Sequence, residues 1–288
     1  MSVSVSFEVF PPRSAQAEPH LHAAIDQLAE LDPAFVSVTC GAGGTARTET
    51  LATIEALGRR RRLPIAGHLT CAGCERDEVT RVAEAYWAAG VRHIVALRGD
   101  MPELGAPFRA HPGGYAGALE LIDAVRRVAP FEISVAAYPE PHPESHSLQG
   151  DLDHLARKAA AGATRAITQF CFDTRAIVRL RENVSRARVE LSIVPGIMLA
   201  SNFAALERMA SRCGADLPGW LTASFAGLDD DAQTRKLLTA IVAARQVEEL
   251  RREGFDEFHF YTLNQADVCT AVCRLLDGRP RVAEARAA

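Results

Sequence analysis

The sequence predicts a (β/α)8 barrel with extra helices before its last strand. Three observations carry this: eight short apolar runs rich in β-branched residues, amphipathic segments between most of them, and a recurring junction in which a glycine closes a helix just before a strand. Strand–helix alternation argues for a parallel sheet, and eight repeats within 288 residues argue for a closed barrel over its main rival, a doubly wound sheet. The strands are expected at about 4–10, 34–39, 64–70, 92–97, 132–138, 165–170, 191–196 and 257–262.

The first run, "SVSFEVFPPR", alternates Val5, Phe7 and Val9 and stops at two prolines, with Glu8 standing inside it. A carboxylate buried without a partner costs several kcal/mol or takes up a proton. The first helix places Leu21, Ile25, Leu28 and Leu31 at one-face spacing. After the second strand, "TCGAGGTA" fits G-x-G-x-x-G/A through Gly41, Gly43 and Ala46. A dinucleotide fold also needs an acid at the end of the next strand, which here reads "AGHLTC", so a turn beside a ligand is the better reading. The basic run "GRRRRL" reads as cations at a helix C-terminus rather than a nucleic-acid patch.

In "AAGVRHIVAL", "AAGATRAITQF" and "REGFDEFHFY", Gly90, Gly162 and Gly254 suit left-handed C-caps before the fourth, sixth and last strands. The region Leu217–Asp256 is too long for one connection; a short helix and then a long one starting near Leu228 are expected, the latter patterned by Leu237, Ile241 and Ala244. The aspartates of "GLDDDAQTRK" read as acids in its first turn rather than a cation site. Residues 1–278 are expected to form one domain, and the tail at 279–288, with little to bury, to be disordered.

Composition is ordinary for a globular chain, with 48% hydrophobic and 24% charged residues. A net charge of −4 gives no general pull toward nucleic acid or an acidic membrane. There is neither a signal-peptide pattern nor a bilayer-length apolar run, and seven cysteines do not suggest a disulfide framework, so a cytoplasmic protein is expected.

Ligands of a (β/α)8 barrel bind at the C-terminal ends of the strands. In order these ends offer Glu8, Thr39, His68, Arg98 with Asp100, Tyr138, Gln169, and Tyr261 with Asn264, while the seventh strand leads into Ser201 and Asn202. One polar terminus is commonplace; seven on one face point to a ligand site. "ALRGDMP" sets a cation, a glycine and an anion in a row at a strand end. The helix after the Pro-rich loop "AAYPEPHPES" carries Asp151, His154, Arg157 and Lys158 on roughly one face, a mixture suited to phosphate and ribose as well as to solvent. His142 and His146 are four apart, but Pro143 speaks against a helical metal pair, and the C-x-x-C of Cys71 and Cys74 lacks a second paired motif, so no metal is expected.

Nine stretches taken together, "SFEVFPPR", "FVSVTCGAGG", "HLTCAG", "GVRHIVALRGD", "ISVAAYPEPHPES", "AGATRAITQFCFD", "VPGIMLASNF", "GLDDDAQTRK" and "FHFYTLNQA", resemble the methylenetetrahydrofolate reductases in family order across about residues 4 to 278. The resemblance is to the compact bacterial form. It implies a single (β/α)8 catalytic domain with FAD over the strand ends. It also implies a ping-pong reaction in which NADH or NADPH passes hydride to the flavin, and the flavin then reduces 5,10-methylenetetrahydrofolate to 5-methyltetrahydrofolate.

The same resemblance implies roles for residues. Glu8 matches the family's general acid, expected to hold its proton through a raised pKa in a partly dry barrel mouth. Asp100 matches an acid near the flavin's pyrimidine end and the pterin, and Arg98 and Gly99 would hold the flavin ring. Thr39, Cys40, His68, Tyr115, Ala116, Tyr138, His142 and Ser145 match positions around FAD; Asp151, His154, Arg157 and Lys158 match the helix that receives its ribose and pyrophosphate. Gln169, Tyr261 and Gln265, with Glu8 and Asp100, fall at the folate. Gln265, Ala205 and Met209 depart from residues that grip folate and nicotinamide in some relatives, and Cys40 replaces a common tyrosine. Relatives form dimers or tetramers, so a homo-oligomer is implied. Two alternatives stay open: another flavin barrel of the proline-dehydrogenase type, and a flavin- or folate-carrying subunit that needs a partner electron donor.

Overall fold

The computed structural model describes residues 3–41, 44–60, 63–101, 108–145 and 147–277. Its strands are β1 (Ser4–Val9), β2 (Phe35–Val38), β3 (Ile65–Thr70), β4 (His93–Leu97), β5 (Glu132–Ala137), β6 (Arg165–Thr168), β7 (Ser192–Val194), β8 (Gly196–Met198) and β9 (Glu257–Tyr261). All pair in parallel, in the order β7-β6-β5-β4-β3-β2-β1-β9-β8. The eighth-of-a-barrel expected near 191–196 is thus two three-residue pieces divided at Pro195. Proline has no N–H to give to a ladder, so the strand changes partner there. β7 pairs with β6, β8 pairs with β9, and the Pro195 carbonyl accepts from His259 N at 2.9 Å. The two ends of the sheet order therefore meet at one residue, and nine parallel strands make a nearly closed barrel.

Around it run α1 (Glu18–Ala29), α2 (Gly44–Arg60), α3 (Arg76–Ala88), α4 (Ala118–Val128), α5 (Leu148–Ala160), α6 (Thr174–Arg186), α7 (Phe203–Cys213), α8 (Gly219–Phe225), α9 (Ala232–Arg252) and α10 (Ala266–Asp277). The three glycine junctions share one geometry. Gly90, Gly162 and Gly254 have φ of +90°, +116° and +88°. The N–H after each glycine returns to the carbonyl five residues back: Val91 to Tyr86, Ala163 to Lys158 and Phe255 to Leu250, at 2.9–3.1 Å. That is the Schellman closure, which turns a helix directly into the next strand.

Alternation along the strands divides the interior in two. Phe7, Phe258 and Phe260 point outward into a fully buried core that includes Leu21, Ile25 and Leu28 of α1. Inside the barrel sit Phe35, Ala66, Val95 and Ile167. With them lie the buried polar residues Ser6, His68, His93, Ser134 and His259.

Two expectations about the long helix are corrected. α9 begins at Ala232, not near Leu228. The aspartates precede it, with Asp231 as N-cap accepting from Thr234 N at 2.9 Å. Its buried face is also not the one patterned by Leu237 and Ile241, which are 59% and 52% exposed; Ala240, Ala243, Val247 and Leu250 are buried instead. This face is small and partly polar because it hydrogen-bonds as it packs: Thr239 Oγ1 donates to Ala200 O at 3.3 Å, Gln246 Nε2 to Cys171 O at 2.5 Å and Arg235 Nε to Ser201 O at 3.0 Å. The expected tail at 279–288 lies outside the described residues. Among the described residues no helix is long and apolar enough to cross a membrane.

Barrel closure leaves no room at Gly196. A Cβ there would collide with the Thr168 carbonyl oxygen and the Tyr261 ring. Gly196→Ala is expected to destabilise the fold by about 1–3 kcal/mol, the usual cost of overpacking, measurable as a lowered urea midpoint at unchanged slope.

Candidate active site at the barrel mouth

The register between β1 and β9 sets the centre of the site. Ser6 lies opposite His259 and Glu8 opposite Tyr261, and period-two alternation turns all four side chains inward. Glu8, 22% exposed, presents Oε2 to two imidazoles, with His68 Nε2 at 3.4 Å and His259 Nε2 at 3.9 Å. Both nitrogens are buried and lack a hydrogen-bond partner. On its other side the His259 ring fixes Nδ1 at 2.7 Å from Ser6 Oγ.

Burial alone pushes the Glu8 carboxyl up, but the facing imidazoles of His259 and His68 outweigh it and hold the acid below its ordinary value. This reverses the raised pKa expected from the sequence. The partner that does most to reverse it, His259, was not singled out there. Its signal was present: in "EFHFY" a histidine alternates with two phenylalanines, so it must share the inward face with the tyrosine two residues on. His68 is itself held below its usual range by burial, against the pull of Glu8.

The rim around this centre is tied down. Thr262 Oγ1 donates to the Glu8 carbonyl at 2.6 Å, and Asn264 both accepts from Phe10 N and donates to Phe10 O at 3.0 Å. Tyr261 Oη donates to Thr168 O at 2.6 Å. Gln169 turns back on the chain, its Oε1 accepting from Phe170 N at 3.0 Å. Gln265 Oε1 accepts from Ser201 Oγ at 2.9 Å.

A second group lies at the ends of β4 and β5. Arg98 is ion-paired with Glu144 and sits 4.7 Å from the Phe108 ring centroid. Gly99 has φ of +83°, and a Cβ there would come within 2.7 Å of Thr70 Cβ, so the turn before the exposed Asp100 requires glycine. Tyr138 meets His142 edge-on at 4.6 Å. Burial raises the tyrosine hydroxyl to about 12, and Arg98, Asp100 and Asp151 all act on it. The loop continues through Ser145, whose Oγ donates to Ser147 O at 3.0 Å, to Ser147, the N-cap of α5. His146 lies outside the described residues.

On α5, Lys158 is buried and donates Nζ to the Ala136 carbonyl at 3.0 Å. Burial pulls it down to about 8 despite the opposing pull of Asp151. His154 is likewise down to about 4, through burial and then the Lys158 and Arg157 charges. Asp151 Oδ2 is buried without a partner. Arg157 is exposed and lies 3.4 Å from His154 Nδ1.

Other expected residues stand apart from these groups. Tyr115 is buried under the Arg76 guanidinium at 5.2 Å, and Ala116 N donates to Glu120 at 3.2 Å, which ties both to α3 and α4. The Thr39 carbonyl accepts from Thr50 Oγ1 at 2.9 Å. The half-buried Cys40 has its thiol raised by burial. Cys71 and Cys74 are buried, and burial raises both to about 11.

Fold and site together define a (β/α)8-barrel protein with its ionisable groups gathered at the C-terminal ends of the strands. A family model described as methylenetetrahydrofolate reductase matches residues 1–277. The chain is 46% identical over 278 residues to the 5,10-methylenetetrahydrofolate reductase of Salmonella typhimurium, covering 96% of this chain and 92% of that one. It is 45% identical over 281 residues to that of Pectobacterium carotovorum, covering 98% and 92%. Among solved structures, a Clostridium thermocellum protein that binds two copies of 5-methyl-5,6,7,8-tetrahydrofolic acid shares the fold with a TM-score of 0.66 at 14% identity, covering 96% of this chain and 94% of that one. The chain belongs to the methylenetetrahydrofolate reductase family, and it is an enzyme of that activity.

Lys158 makes the cost of the site measurable. Its folded pKa of about 8 lies below the ordinary lysine value of 10.5, so between these values the unfolded chain binds more protons and stability rises with pH. Lys158→Met is expected to be more stable than the parent at pH 7, with the difference shrinking from about pH 8 to 10.5. Thermal melts across that range read it.

Proposed function

We propose that the barrel reduces 5,10-methylenetetrahydrofolate to 5-methyltetrahydrofolate in a ping-pong cycle with FAD as cofactor and NADH or NADPH as donor, with residues 1–278 as the catalytic domain. The observation that carries the reading is Glu8: a carboxyl group on the inward face of the first strand, at the mouth, between two imidazoles. The folate ring is a poor hydride acceptor until a ring nitrogen is protonated and the ring opens to an iminium. A carboxyl in reach of that nitrogen supplies the proton. Ligands over the mouth would remove the remaining exposure of Glu8, and burial is the effect that raises this acid.

The second group of residues fits FAD. Asp151 offers a buried carboxylate oxygen without a partner, an acceptor for ribose hydroxyls, and Lys158 beside it a cation for pyrophosphate. Arg98, Gly99 and the Tyr138–His142 pair would flank the ring system, with Thr39, Cys40, His68, Tyr115, Ala116, Ser145, His154 and Arg157 around the remainder. When bound, FAD supplies a hydride carrier between nicotinamide and folate. Asp100 would orient the pterin, and Gln169, Tyr261 and Gln265 would complete the folate site. The bound folate of the Clostridium thermocellum protein is in keeping with this. Exposed Trp220, Leu237 and Ile241 on α8 and α9 support a homo-oligomer.

The anaerobic visible spectrum tests the reading: a yellow protein should bleach when 5-methyltetrahydrofolate is added. A colourless protein, even after FAD is supplied, would overturn the cofactor. In stopped-flow, Glu8→Gln should slow the folate half-reaction by about 100-fold or more and leave flavin reduction by nicotinamide largely intact. Equal loss in both half-reactions would remove Glu8 from the role of acid.

A further inference from the structure

Lys158 is buried with fewer partners than its charge needs. It is 7% exposed, and among the described residues its ammonium has one acceptor, the Ala136 carbonyl at 3.0 Å. An ammonium has three N–H groups to place. Asp151 lies two turns earlier on the same face of α5, yet its Oδ2 is buried with no partner at all. A cation short of acceptors beside an acceptor short of donors is an arrangement that an anionic ligand bearing hydroxyl groups completes.

The neighbouring charges do little for the ammonium. On α5 the Asp151 carboxylate supports it, while His154, down at about 4 through burial and then the Lys158 and Arg157 charges, is neutral at pH 7. Arg157 on the same helix is exposed. From the end of β4 the Arg98 guanidinium opposes the charge, although Glu144 pairs with that arginine. From the β5 loop His142 is itself held below its ordinary value, by burial and then by Arg98. The flanking helices direct charges elsewhere: Arg126 of α4 donates to Ala161 O at 2.9 Å, and Arg179 of α6 pairs with Asp173 at 3.2 Å. An amine placed in this way gives up its proton more readily than in water, and a diphosphate arriving beside it reverses the balance.

We propose that the diphosphate of the cofactor enters this site together with a proton, so that binding of FAD charges Lys158 and the hold on the cofactor weakens as pH rises above neutrality. The inference rests on the functional reading above and concerns the regulation of that same site. The proton comes from solvent and goes to the lone pair of Nζ; no bond to phosphorus forms, and Asp151 Oδ2 accepts from a ribose hydroxyl. With a value of about 8 in the empty site, Lys158 is about half neutral at pH 8 and about nine-tenths neutral at pH 9. Affinity is therefore fully present below pH 8. Above it, affinity falls by up to about tenfold per pH unit until the value of the occupied site is reached.

Calorimetric titration of the flavin-free protein with FAD, in two buffers of different ionisation heat, reads the proton directly. Net uptake should be close to zero at pH 7 and about one proton at pH 9, with Kd about tenfold larger at pH 9. Riboflavin, which has the ring without the diphosphate, should show neither change; equal uptake with riboflavin would move the proton to the ring and overturn the inference. Lys158→Arg, which stays charged throughout, should bind FAD equally well at both pH values. Lys158→Met should bind it weakly and with the same flat profile, whereas a pH dependence kept in Lys158→Met would also overturn the inference. FAD binding without uptake at pH 9 defeats this inference and leaves the functional reading standing. A protein that binds no flavin at any pH defeats both.

Discussion

The structure is organised around one constraint: a carboxylate placed inside a parallel barrel must be answered by groups the barrel itself provides. Dehydrating a lone carboxylate costs several kcal/mol in practice. Here the answer comes from strands far apart in sequence, His68 on β3 and His259 on β9. Their approach requires β1 to pair with β9 in one register, because a slip of one residue would turn Glu8 or His259 outward. The clamps on either side enforce that register. Thr262 holds the Glu8 carbonyl, and Asn264, at φ +58° after Leu263 at φ +49°, satisfies both the N–H and the C=O of Phe10.

Of the six buried side-chain atoms without partners among the described residues, three follow the same geography, while Ser37 Oγ, Arg47 Nε and Thr270 Oγ1 lie elsewhere. His68 Nε2 and His259 Nε2 flank Glu8, and Asp151 Oδ2 lies beside Lys158 on the first helix beyond the β5 loop. Buried polar groups are normally satisfied, so their position at the strand ends is more informative than their number. Lys158 adds a cost of the same kind: burial works against its charge, and one backbone carbonyl and one acid recover only part of it. The apolar outer core around Phe7, Phe258 and Phe260 offsets that cost.

Much of this was legible in the sequence. The three glycine junctions read directly as Schellman caps, since a left-handed residue between helix and strand leaves few alternatives to glycine. The strand ends were legible because alternation fixes the inward face. The face of α9 was not: Leu237 and Ile241 pattern a helix well, yet the side that packs is built from alanines and from Thr239 and Gln246, whose hydrogen bonds outweigh hydrophobicity. Nor was the charge state of Glu8 legible, because Ser6 and His259 are separated by 253 positions, and no local pattern sets a histidine beside that acid. Prolines punctuate strands visibly, but that Pro195 would hand the strand from one neighbour to another depends on closure of the whole barrel.

Among the described residues the barrel contains two serine–histidine couples, and the contrast between them shows what the mouth adds. Ser134 and His93 are as close as Ser6 and His259, at 2.7 Å in each case. His93, however, has no carboxylate on its ring; burial drives it to about 4, the Glu132 charge opposes this, and Arg165 reinforces it. It is therefore neutral at physiological pH. The deeper layer, closed by Arg165 between Glu132 and Glu257, acts as an electrostatic floor. The Glu8–His259 pair lies above this layer, at the strand ends, where barrel enzymes bind their substrates.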